Sequence, residues 1–225
     1  MTYSKAKEKI LDLFENNIEK YVLPDIYRLL SLSTEENENG KCAIPLALSI
    51  FSLSDLLGFL TDCKEIPVDN PDRPSILAFL GNDDFFEEMY KPYNISSKEG
   101  ANLIKNIVRN KLVHRFFMPL VSISNDSRLP ERIFSTIEGV LQLNVFYFAN
   151  KVLSTLMEIK KKIAIDEFKL SFDNDTNDTI LRMAKRLSIF ENGSKQCEPS
   201  IKQLIQLPKI AISYDYFNQG SMFKP

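Results

Sequence analysis

The chain contains one histidine, His114, which closes the run Arg109-Asn110-Lys111-Leu112-Val113-His114. Imidazole titrates near neutrality and can take or give a proton at physiological pH. The planar guanidinium of Arg109 matches two phosphate oxygens at once. The amide of Asn110 would orient phosphate or imidazole. These groups suit cleavage of RNA by its own 2′-hydroxyl, which needs acid/base groups for two proton transfers and positive charge for a crowded phosphorane. That chemistry calls for no metal and no cofactor. On a helix, Asn110 and His114 share one stripe and Arg109 lies on the adjoining flank. The stripe continues as Leu103, Ile107, Asn110, His114 and Phe117. Polar groups thus interrupt a surface that otherwise favours burial. An unpaired amide or imidazole there would cost on the order of 1–3 kcal/mol, which favours a specific partner, a cleft or an interface. Lys98, Lys105, Lys111 and Arg115 face the single acid Glu99, so the helix is locally basic. Lys105, Lys111 and Arg115 are the candidate substrate-binding cations. The bland alternative is a histidine that only ties helices together.

The pattern of arginine, a polar residue, three more residues and histidine resembles the motif of HEPN domains. Those domains are helical bundles, commonly of four or five helices, and many are metal-independent endoribonucleases working as dimers. The resemblance implies that Arg109, Asn110 and His114 are catalytic, that RNA is the substrate, and that a homodimer forms through the motif helix. With one histidine per chain, a two-histidine mechanism needs a second subunit. Family precedent also implies a role in toxin–antitoxin systems or defence, with an antitoxin or regulatory protein as partner. The sequence departs from the HEPN toxins paired with nucleotidyltransferase antitoxins, because the position two residues after the histidine is Phe116 rather than a modifiable Tyr. Many family members cleave nothing. A non-catalytic module binding a nucleotide, RNA or protein is therefore the alternative.

The elements that must position this segment follow from spacing. Residues 3–32 place Ile10, Leu13, Phe14, Ile18, Tyr21, Val22, Ile26, Leu29 and Leu30 three and four apart, which predicts an amphipathic helix that Pro24 bends or splits. After the polar run 33–41, residues 43–61 are apolar on nearly every side and predict a central core helix. Short helical pieces are expected at 75–80 and 83–90. Ser96 and Glu99 have capping-box spacing, so the motif helix should start there and run to about Phe116. Pro130 is placed at the first position of a long helix ending near Lys162. Alternation at 118–124 and 163–172 leaves room for a small β-hairpin between those segments. One more helix is expected at 178–190. The expected fold is mainly all-α, a HEPN-like bundle of about five to six helices, in a single domain over 1–225 whose tail, 191–225, is less regular.

With 225 residues, 44% hydrophobic and 16 of them Phe, the chain can fill a substantial core. A net charge of -2 gives no general attraction to polyanions, so any RNA site must be local. Cys42, Cys63 and Cys197 are too widely spaced for a disulfide framework or a close metal site. The N-terminus lacks the apolar core of a secretion signal, and the apolar stretch 140–149 is too short to span a bilayer. The expectation is a cytoplasmic protein without a membrane.

Four further features carry weaker signals. Lys160-Lys161-Lys162 at a helix C-terminus is read as complementing the helix dipole. Asp55 on the core helix could pair with Arg109 or Lys105. Phe146, Tyr147 and Phe148 are read as packing. Asp173, Asp175 and Asp178 lack the Gly and terminal Glu of a calcium loop and are read as a solvated turn.

Overall fold

A computed structural model of the chain describes residues 1–32, 42–62, 76–109, 121–124, 132–137 and 140–195. The fold is mostly helical with one small sheet. Two units divide the chain, Met1–Ser188 and Ile189–Pro225.

The N-terminal periodicity forms α1 (Tyr3–Asp12), a π-wound stretch (Leu13–Val22) and α2 (Leu23–Leu32) in unbroken succession. Ala6, Ile10, Phe14, Ile18, Leu23, Ile26 and Leu30 form its buried face. Pro24 does not end the helix. The Leu23 N–H bonds the Ile18 carbonyl five residues back, so the wider winding comes directly before a residue with no N–H to give. Lys160 holds the π-wound stretch from outside, with Nζ 2.8 Å from Glu19 and 3.4 Å from Glu15.

The core helix α3 spans Ala43–Thr61, the range its composition predicts. Pro45 falls in its first turn, where the missing N–H has no partner to lose. Ten of its 19 residues are buried, among them Leu46, Ile50, Phe51, Leu57 and Leu60. Length and composition alone would let this helix, rather than the shorter apolar stretch 140–149, cross a membrane. Half of the window is buried inside the protein, as befits a core helix. α4 (Ile76–Leu80) and α5 (Asp83–Tyr90) follow. Asp55 reaches across from α3 to accept the Ile76 N–H at 2.8 Å, supplying the start of α4 with an acceptor. The side chain of Arg109, the other partner considered for Asp55, lies outside the description.

The sheet differs from expectation. β1 (Val121–Ser124) is where alternation placed a strand, but its neighbour is not residues 163–172. β2 (Phe134–Ile137) and β3 (Val140–Asn144) occupy the start of what Pro130 suggested was a helix. The order is β1-β3-β2, with β1 parallel to β3 and β2 antiparallel to it. Two residues, Glu138-Gly139, separate β2 from β3, the separation of a tight hairpin. The helix α7 begins only at Val145 and runs to Ala164, with Asn144 as its N-cap accepting the Tyr147 N–H at 3.1 Å. Phe148 on α7 meets Phe51 of α3 at 5.8 Å between ring centres, inside the core.

Residues 167–170 carry no strand and lead into α8 (Thr176–Lys195). Here the aspartate cluster finds its use. Asp175 accepts the Asp178 N–H at 2.9 Å at the helix start, and Asp173 pairs with Arg182 at 2.8 Å. Arg182 and Arg186 then donate to the Asp62 and Phe59 carbonyls at the C-terminal end of α3. Cationic groups at that end complement its dipole.

Candidate functional site

The motif helix starts where the capping box predicts. In α6 (Ser97–Leu103) the Ser96 hydroxyl accepts the Glu99 N–H at 3.3 Å, and the Glu99 carboxylate accepts the Ser96 N–H at 2.9 Å. That hydrogen bond from the Ser96 backbone, with the one from its hydroxyl, holds the exposed Glu99 carboxyl below its ordinary range. Past Leu103 the winding opens into a π-helical stretch, Ile104–Arg109. Such turns recur at functional sites, and the chain carries a second, longer one at Leu13–Val22 ahead of Pro24.

Arg109 is the last residue of this stretch, and its backbone is the only part of it described. Asn110, Lys111, His114 and Arg115 lie outside the described residues, as does the expected helical continuation to Phe116. Lys105 is half-buried on the π-wound stretch. The described residues thus form the support leading to the motif.

That support has three parts. The inner face of the helix, Ser97, Gly100, Ala101 and Ile104, is buried, and α6 packs on α4 and α5. Tyr90, the last residue of α5, is fully buried directly beneath Gly100. A Cβ at residue 100 would lie 2.2 Å from two Tyr90 ring carbons, so only glycine lets the helix come this close. Gly81 approaches from the other side: its Cβ would fall 2.6 Å from the Leu77 carbonyl oxygen and 3.5 Å from the Lys98 Cα. The third part is Tyr93, in the single 3-10 turn Lys91–Tyr93 ahead of α6. Its hydroxyl donates to the Phe134 carbonyl at 2.7 Å and accepts the Phe134 N–H at 2.8 Å. In the antiparallel register Phe134 faces Leu143, while the Asn144 N–H bonds Ile133, so the polar groups of Phe134 point away from β3. Tyr93 satisfies both and fastens the sheet to the start of the motif helix.

The same region leaves polar groups unsatisfied. Among the described residues the Tyr90 hydroxyl and the Ser97 hydroxyl are buried without a hydrogen-bond partner, as is the Ser54 hydroxyl on α3. Burial pushes the Tyr90 phenol far above its ordinary range, so it stays neutral at any relevant pH.

Sequence reasoning passed over Tyr90, Tyr93 and Gly100. A usable signal existed for one of them: glycine inside a helix costs about 1 kcal/mol relative to alanine, which marks Gly100 as a close contact. The Lys160–Lys162 run, read from the sequence as complementing the helix dipole, makes ion pairs: Lys160 holds Glu19 and Lys162 holds Glu158 at 2.7 Å. Two open grooves flank the helical body. One, of about 440 Å³, is lined by Asp83, Glu87, Lys91, Asn94, Ser96 and Ser97, at the end of α6 remote from Arg109. The other lies along Phe85, Lys162 and Phe168–Ser171. Among the described residues no group of three or more His, Cys, Asp or Glu side chains gathers as metal ligands would.

Compared with family models, curated proteins and solved structures, the chain matches none.

Proposed function

We propose that the chain is a metal-independent endoribonuclease of HEPN type, cytoplasmic, acting as a homodimer whose motif helices face each other. His114 of one copy removes the proton from the RNA 2′-hydroxyl, and His114 of the second copy protonates the departing 5′-oxygen. Arg109 neutralises the phosphorane oxygens through its planar fork, and Asn110 orients the phosphate or the imidazole. The products are a 2′,3′-cyclic phosphate and a free 5′-hydroxyl.

The observation that carries this reading is the run Arg109-Asn110-Lys111-Leu112-Val113-His114, with the sole histidine of the chain at its end. It is supported by the local departure of the helix into π winding directly before the motif. Phe116 removes the modifiable tyrosine, so inhibition by an antitoxin or regulatory protein would act through binding.

The test is oligomeric state together with cleavage. Light scattering should give a dimer, and mixed-sequence RNA should be cleaved by the wild type and not by Arg109→Ala or His114→Ala. A dimer that binds RNA without cleaving it would move the assignment to a non-catalytic binding module. A monomer inert toward RNA would remove both.

A further inference from the structure

Resting on the ribonuclease reading, we propose that the outward face of α6 and its π-wound continuation is a track for the RNA backbone, carrying Lys98, Asn102, Lys105 and Asn106 toward Arg109.

The spacing of Lys98, Asn102 and Lys105 is i, i+4, i+7, which lines up one face of a helix. The opposite face is committed to the core through Ser97, Gly100, Ala101 and Ile104. Lys98 and Asn106 are exposed, while Asn102 and Lys105 are half-buried. Among the described residues, four other lysines have acid partners: Lys7 with Asp166, Lys91 with Glu88, Lys160 with Glu19 and Lys162 with Glu158. Lys98 and Lys105 form no ion pair among the described residues. Their only acidic neighbour on the helix, Glu99, is drawn back onto Ser96 by the capping box. Among the described residues the face is therefore basic, within a chain of net charge -2.

A polyanion with regularly spaced charges fits this arrangement. From Lys98 to Arg109 the helix covers roughly 16 Å at ~1.5 Å per residue, room for several backbone phosphates. Lysine ammonium groups meet phosphates as mobile point charges, and asparagine amides donate to phosphate or 2′-hydroxyl oxygens; the Asn102 amide gives one hydrogen to the Lys98 carbonyl at 2.9 Å and has a second to donate. The track ends at the residue assigned to the scissile phosphate. It sets direction and grip, and leaves the chemistry to the motif.

The experiment measures binding of a fluorescein-labelled, mixed-sequence single-stranded RNA to the full-length His114→Ala protein over a range of salt concentrations. Each phosphate neutralised on a single strand contributes about 0.7 to the slope of log K against log salt. Adding Lys98→Ala and Lys105→Ala should lower that slope by about 1.4 and weaken binding at low salt. Adding Lys161→Ala, on the exposed side of α7, should leave the slope where it was. RNA binding with an unchanged slope in the double-lysine variant overturns the track alone and leaves the face to an acidic protein partner. No binding by the parent His114→Ala protein, with none by the wild type, overturns the ribonuclease reading beneath it.

Discussion

α3 and α6 are built on opposite principles. α3 has 19 residues, is apolar nearly all round, buries ten of them and has its C-terminal carbonyls held by Arg182 and Arg186. α6 has seven residues, buries one face, starts on a capping box, changes its winding at Ile104 and packs through Gly100 on the Tyr90 ring. Burial of the first kind needs only hydrophobic residues of suitable size. The second kind depends on a glycine, two tyrosines and a cap, each in one place. α3 buries the larger apolar surface, while the packing of α6 hangs on a few individual residues.

This contrast can be broken from either side, and the largest effect belongs to α3. Phe51→Ala opens a cavity between α3 and α7 and should cost about 3–5 kcal/mol in urea unfolding. Gly100→Ala should come next, at about 2–3 kcal/mol, because the added methyl meets the Tyr90 ring rather than open space. A double variant with Tyr90→Leu should recover part of that loss, and complete additivity would contradict the contact. Tyr93→Phe should cost about 1–3 kcal/mol by leaving the Phe134 N–H and carbonyl without their partner, read in the same denaturant titration. Tyr90→Phe runs the other way. It removes an orphaned hydroxyl and should leave stability unchanged or raise it by up to about 1 kcal/mol, whereas a clear loss would mean that the hydroxyl has a partner.

A pH effect should be the smallest. At Asp173 burial favours the neutral acid, but the hydrogen bonds from Arg182 and Thr179 outweigh it and hold the pKa below the ordinary carboxylate value. A depressed folded-state pKa stabilises the fold above the unfolded value of about 3.9, and this is lost as pH falls through the folded value. Asp173→Asn should therefore be less stable than wild type near neutrality, with the difference shrinking in acid. A gap that widens in acid would contradict the pairing.

Which parts of this were legible in the sequence follows the same division. Residues 3–32 and 43–61 declared themselves because a buried stripe or an all-round apolar surface leaves a periodic trace, and Ser96 with Glu99 declared the start of α6. The sheet did not. Pro130 and the apolar spacing after it fit a helix start, and the β-branched Ile133, Thr136, Ile137 and Val140 were outweighed. Gly139, costly in mid-helix, was the warning that the segment turns instead. Tyr93 was illegible because its value lies in the backbone of Phe134, 41 residues away, and no periodicity records such a bond. At the motif itself, the residue types announced a chemistry, while the arrangement of Asn110, His114 and Arg115 belongs to residues outside the description.

The most direct measurement is the chemistry of the product ends when mixed-sequence RNA is incubated with the protein in excess EDTA. The account predicts 2′,3′-cyclic phosphate and 5′-hydroxyl termini, formed by the wild type and absent with His114→Ala. Products ending in 5′-phosphate, or cleavage that persists unchanged in His114→Ala, would contradict it.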